Sequence, residues 1–83
     1  MNARIEINPA IQHGKPVIKG TRVPVARILG GLAGGMSKDE VIREYAVTKE
    51  DVDAALDYAT ELIEAEEVHS LRAAAAADHV IPH

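Results

Sequence analysis

The sequence has 83 residues, 14 of them alanine, and a formal net charge of −4, which together predict one small domain with a modest core. It has no cysteine, so neither disulfides nor thiolate-bound zinc can stabilise the domain, and we expect a homodimer or another bound partner to do so. Only two residues, both tyrosines, are aromatic, which argues against recognition of RNA or single-stranded DNA by base stacking.

Residues 4–25 predict a β-hairpin segment. The first four of them alternate polar and β-branched apolar side chains, as a half-buried strand does. Two further β-branched runs, residues 17–18 and 23–25, are separated by a Lys-Gly-Thr-Arg turn in which Gly20 is suited to a positive φ. Pro16 has no amide proton to donate, so we expect at least one strand to lie at a sheet edge, open to a partner chain.

Apolar residues at helical spacing predict three helices, over residues 24–33, 38–45 and 49–63. Gly34-Gly35 is suited to end the first helix as a C-cap pair. Ser37 and Glu40 form the sequence pattern of a capping box at the start of the second helix, and Thr48 with Asp51 repeats it at the start of the third.

These helices predict a trihelical helix-turn-helix core over residues 25–63. The fold class is therefore mainly α with a small N-terminal β-hairpin, in a single trihelical helix-turn-helix domain. The buried stripe of the third helix is expected to be Val52, Leu56, Ala59 and Ile63. Residues 64–83 predict an Ala-rich C-terminal helix and tail that projects or packs on a partner. No apolar stretch is long enough for a membrane span and no signal segment precedes the domain, so a cytoplasmic location is expected.

Charge divides the chain into two parts. Up to Gly35 there are five basic residues against one acidic residue, whereas the remainder has twelve acidic residues against four basic ones. The second helix of a helix-turn-helix motif usually enters the major groove with basic or amide side chains, but the corresponding helix here is acidic, which disfavours its insertion into DNA. The alternative explanation is that Asp and Glu simply favour solvated helices and helix N-termini.

The basic residues of the hairpin and first helix mark a candidate nucleic-acid-binding site. Its residues are Lys15, Lys19, Thr21, Arg22 and Arg27. Such a patch could contact phosphates, or read DNA as a β-ribbon. A structural interpretation stays open beside it, because Thr21 could close the turn and Arg22 could pair with a helix-end carboxylate.

Nothing in the sequence predicts catalysis, a cofactor or a metal site. Ser37 and Ser70 are a helix cap and a helix-surface position. The histidines lack the spacing of paired metal ligands, and Pro82 would break a helix between His79 and His83. The Gly-rich stretch of the first helix follows no predicted strand and lacks the lysine of a phosphate-binding loop. We therefore expect a binding protein and not an enzyme.

Three segments carry a resemblance to a known family. Residues 8–25 read Asn-Pro-x-Ile-x-x-Gly-Lys-Pro-Val-Ile-Lys-Gly-Thr-Arg-Val-Pro-Val, and residues 34–45 and 48–59 continue the pattern. Together they resemble the short prokaryotic proteins grouped as domain of unknown function 433. The resemblance implies a winged-helix-like or trihelical DNA-binding fold, and a role similar to VapB-type antitoxins, whose neighbour is a PIN-like ribonuclease. The acidic second helix of the motif and the Ala-rich tail beyond Ala59 depart from that pattern.

The resulting hypothesis is an antitoxin that neutralises a PIN-like ribonuclease and represses its own operon as a dimer. The acidic half, residues 40–67, is electrostatically suited to cover the basic RNA-binding surface of such an enzyme. The candidate partner-binding residues are Asp57, Glu61, Leu62, Ile63, Val68 and Leu71. The alternatives are a stand-alone DNA-binding regulator and a structural interaction module that binds no DNA.

Overall fold

The computed structural model describes the backbone of residues 2–80 and the side chains of residues 2–67. The elements along residues 2–80 are β1 (Ile5–Glu6), a 3-10 turn (Gln12–Gly14), β2 (Val17–Ile18), α1 (Val25–Ala33), α2 (Lys38–Tyr45) and α3 (Lys49–Val80). The mainly α fold with a small N-terminal antiparallel hairpin is therefore confirmed. The third helix does not end near residue 63, because α3 continues without a break into the Ala-rich segment.

Strand β2 has a partner on each side. It pairs antiparallel with β1 in the register Ile5–Ile18 and Glu6–Val17. On its other side the expected hairpin partner, residues 23–25, contributes only one bridge, between Val17 and Pro24. The turn between them is present with Gly20 at a φ of 81°, as predicted. The ladder of this hairpin does not extend, because Pro24 has no amide proton and α1 begins directly after it.

The helix ends follow the local chemistry of the sequence. Ser37 and Glu40 form a complete capping box, and the hydrogen bonds that Ser37 makes with the Glu40 carboxylate lower the pKa of that carboxyl. The Thr48 hydroxyl accepts from the Asp51 amide at 3.1 Å, while an Asp51 carboxylate oxygen accepts from the Thr48 amide at 3.0 Å. Gly35, at a φ of 103°, donates its amide to the Leu32 carbonyl after α1 ends. The predicted end of α1 and the predicted starts of α2 and α3 are therefore confirmed.

The core lies where the three helices meet the hairpin. It consists of Ile5, Ile18, Val25, Ile28, Val41, Val47, Val52, Ala54 and Ala55. The predicted stripe of α3 was partly wrong: Val52 is fully buried, but Leu56 is 37% exposed and Ile63 is 58% exposed. The helix is rotated so that Ala54 and Ala55 face inward, because small residues let α3 approach its neighbours closely. The bulkier residues Leu56 and Ile63 are left at the surface.

Candidate binding surfaces

The basic segment, residues 15–27, is held by the turn between β2 and α1. The Thr21 amide donates to the Ile18 carbonyl at 3.0 Å, and Gly20 supplies the left-handed conformation that closes the turn. This geometry places cationic side chains before β2, on the turn and in the first turn of α1. They are Lys15, Lys19, Arg22 and Arg27, all exposed.

Thr21 has a structural role in this turn. Its hydroxyl donates to the Ile18 carbonyl at 2.7 Å and accepts from the Val23 amide at 3.0 Å. Because both bonds are made within the turn and the residue is partly buried, Thr21 fits the structural interpretation of its sequence position. It positions Lys19 and Arg22 on either side of it.

The four cationic side chains of the basic segment form no ion pair or hydrogen bond with any other side chain of residues 2–67. Over that range Arg22 has no helix-end carboxylate as a partner. The arginine that pairs with a carboxylate at the start of a helix is instead Arg4. Its Nη1 lies 3.1 Å from Oδ1 of Asp51, a residue only 8% exposed. Sequence reasoning missed this contact, since nothing local links residues 47 positions apart.

Carboxylates line one face of α3. Asp53, Asp57 and Glu61 recur every four residues and Glu64 follows three later, which places all four within about 80° around the helix axis. We call this row the acidic ridge. Lys38 and Lys49 approach Asp53 at 2.7 Å and 3.2 Å, and their hydrogen bonds lower the pKa of its carboxyl.

The helix dipole does not account for the acidic ridge. Its stabilisation of acids is confined to about the first turn, which contains Glu50 and Asp51. Asp57 lies about two turns further along, and like charges four residues apart oppose helix formation by about 0.2–0.5 kcal/mol per pair. Lys38 and Lys49 already offset this repulsion at Asp53, whereas at Asp57 and Glu64 a cationic partner would lower it.

The candidate partner-binding residues lie on two different faces of α3. Asp57 and Glu61 belong to the acidic ridge, with Asp57 also accepting a hydrogen bond from Asn2 at 3.2 Å. Leu62 points about 100° away from Glu61, and Ile63 lies between the two faces. Leu62 is 51% exposed. The side chains of Val68 and Leu71 lie outside the described residues.

Leu62 forms part of the wall of an apolar groove of about 280 Å³. The groove lies between the hairpin residues near Pro16 and Pro24, helix α1 and helix α3. Its lining also includes Ala26, Leu29 and Tyr58, and Lys15 is the charged residue beside it. Helical spacing in the sequence places Ala26 and Leu29 on one face of α1, and Tyr58 and Leu62 on one face of α3. It does not show that these two faces meet. Sequence reasoning missed the groove, because only the tertiary packing brings the walls together.

The metal-ligating residue types do not converge within the described part of the chain. No group of three His, Cys, Asp or Glu side chains among those residues could hold a metal ion. His13 is exposed, and the side chains of His79 and His83 lie outside the described residues. Within the same limits, no helix combines the length and apolar character needed to cross a membrane.

Comparison with known proteins identifies relatives of the fold. The family model described as "Protein of unknown function (DUF433)" matches residues 5–59. The crystal structure of a DUF433 member protein from Anabaena variabilis has a TM-score of 0.68 and 28% identity, over 80% of this chain and 66% of that one. The crystal structure of Rv2018 from Mycobacterium tuberculosis has a TM-score of 0.58 and 35% identity, over 63% of this chain. The matched region is only 24% of the Rv2018 chain. No curated protein matches significantly.

Proposed function

We propose that this chain, which belongs to the DUF433 family as its sequence predicted, is a cytoplasmic antitoxin that binds and inhibits a PIN-like ribonuclease. The observation that carries the proposal is the acidic ridge of α3. Its carboxylates extend beyond the first turn of the helix, where like charges four residues apart repel one another. A basic protein surface would convert this disadvantage into a favourable contact.

A ribonuclease that binds the RNA backbone needs a cationic surface, and a row of carboxylates has the charge to compete for it. Neighbouring ridge positions four residues apart are separated by about 6 Å along the helix axis. Leu56 and Ile63, seven residues apart and both exposed, flank the ridge and supply apolar contact area beside the charges. Charge complementarity of this kind raises the association rate and favours one partner over others.

The test is binding to the purified ribonuclease encoded by the adjacent gene, measured by calorimetry and by inhibition of RNA cleavage. We expect Glu64→Lys to weaken the complex by about tenfold or more, because it places a cation against a cationic surface. Glu44→Lys is the matched control: it makes the same charge change at an exposed position of α2, away from the ridge. Absence of any complex, or equal loss with both variants, would contradict the proposal.

The basic segment favours a second activity, binding of double-stranded operator DNA, either to repress the antitoxin operon or as a regulator without a toxin. Its four cations are exposed and without a carboxylate partner among residues 2–67, so they are available to phosphates. The helix that would normally enter the major groove carries Glu50, Asp53 and Asp57, which repel phosphates. We therefore place the DNA contact on the hairpin and α1.

Fluorescence anisotropy with a labelled promoter fragment tests this placement. We expect Lys19→Ala and Arg22→Ala each to weaken binding at low salt and to reduce the slope of log K against log salt by about one. Arg43→Ala removes an exposed cation of α2 outside the basic segment and should leave both quantities unchanged. If Arg43→Ala had the larger effect, the site would lie on the helix-turn-helix after all.

A further inference from the structure

The face of α3 that packs on the core continues beyond the body of the domain. Ala55 is fully buried, Tyr58 is partly buried and Leu62 is 51% exposed, although the three residues lie on one side of the helix. From residue 60 to residue 67 every side chain is exposed. Leu62 is therefore an apolar residue on the core-facing side of α3, at the point where the other side chains of residues 2–67 cover only about half of it.

We propose that a second copy of this chain covers the apolar groove, with the two α3 helices crossing at Leu62 about a two-fold axis. A two-fold interface uses the same patch on both subunits, so the patch must be complementary to itself. This surface meets that requirement. It combines a concave part, lined by Pro24 and Leu29, with the half-exposed Leu62 side chain in the wall that α3 contributes.

The charges beside the groove are complementary in the same way. Lys15 lies at the groove, and Glu66 lies one helical turn beyond Leu62 on the same side of α3. Neither side chain has an ion-pair partner among residues 2–67. An antiparallel crossing at Leu62 brings Glu66 of each copy back over the groove of the other, where it can pair with Lys15. The two-fold axis would produce this Lys15–Glu66 ion pair twice in each dimer.

The position of the acidic ridge is compatible with self-association. Asp57 and Glu64 point about 140–160° away from Leu62 around the helix axis, so two chains of net charge −4 would keep their carboxylate rows apart. The small core gives a physical reason for pairing. Its largest fully buried side chains are Ile18 and Ile28, and an interface would add apolar burial that the monomer lacks.

Sedimentation equilibrium of the full chain over a series of concentrations tests the proposal. We expect a reversible dimer, and Leu62→Glu should raise its dissociation constant by about tenfold or more, since it places a charge at the centre of the interface. Thr60→Glu is the matched control, with the same charge change in the same turn but on the opposite side of α3. Circular dichroism should show both variants folded, because both residues are exposed.

A charge exchange tests the polar contact separately. Lys15→Glu and Glu66→Lys should each weaken the dimer, and the double variant should restore it. A monomeric parent protein, or a dimer that Leu62→Glu leaves intact, would overturn the proposal. Equal weakening by Thr60→Glu would move the interface to another face of α3. Because ribonuclease binding is not part of this experiment, its result is independent of the antitoxin proposal.

Discussion

Replacing Ile28 by alanine is expected to lower the free energy of unfolding by about 2–5 kcal/mol. Ile28 has no exposed surface and lies in the core shared by the helices and the hairpin. Its truncation removes apolar burial and leaves a cavity that its close-packed neighbours fill only in part. A domain of this length has a total stability of about 4–12 kcal/mol, so the variant should lose a large fraction of it.

Urea unfolding followed by circular dichroism measures this loss, and the slope m should stay constant if only stability changes. Ile7→Ala is the matched control, because Ile7 is 49% exposed and outside the core cluster. We expect it to change the free energy of unfolding by less than about 1 kcal/mol. Both variants should be compared at one protein concentration, since self-association would make apparent stability concentration-dependent. Similar losses for Ile28→Ala and Ile7→Ala would contradict the core assignment.

The elements that sequence reasoning placed correctly depend on local chemistry. A capping box, a glycine pair after a helix and a Gly in a tight turn each fix the backbone within a few residues. Ser37 with Glu40, Thr48 with Asp51, and Gly20 therefore have the roles that their spacing indicates. The family resemblance rests on the same short segments and is confirmed over residues 5–59.

The features that sequence reasoning missed depend on packing between distant segments. The helical spacing of apolar residues selected Leu56 and Ile63 for the core, whereas the structure buries Ala54 and Ala55 instead. The groove beside Leu62 likewise exists only because the hairpin residues Pro16 and Pro24 lie next to α1 and α3. Periodicity gives the faces of a helix but not the face that a neighbour will cover.

Ion pairs between distant segments are likewise not predictable from the sequence. Arg4 was counted with the cations of the N-terminal part, yet it is the one of that group that binds a carboxylate among residues 2–67. This contact connects the two oppositely charged parts of the chain. Asp51 on α3 holds the Arg4 side chain, and the Arg4 carbonyl accepts from the Lys19 amide at 2.7 Å. Arg4 thereby joins the acidic helix directly to the basic segment.

Removing the Asp51 carboxylate should both destabilise the domain and loosen that connection. We expect Asp51→Ala to lower the free energy of unfolding by about 1–2 kcal/mol, mainly because the Thr48 amide loses its acceptor at the start of α3. The ion pair adds less, since Arg4 is half exposed and solvent screens it. Asp51→Asn keeps an acceptor oxygen without the charge, so its loss should be intermediate.

Amide hydrogen exchange provides the second measurement, because it reports local opening as well as global unfolding. In Asp51→Ala the Lys19 amide should exchange faster than global destabilisation alone requires, since Arg4 no longer fixes β1 to α3. Asp57→Ala is the control: it removes a second α3 carboxylate that contacts the N-terminal segment, through a 3.2 Å hydrogen bond from Asn2, and leaves the Arg4–Asp51 ion pair in place. It should change stability by less than about 0.5 kcal/mol and leave Lys19 exchange unaltered. If Asp51→Ala accelerated exchange only uniformly, the Arg4 contact would not orient the basic segment, and the two charged surfaces would be positioned by the core alone.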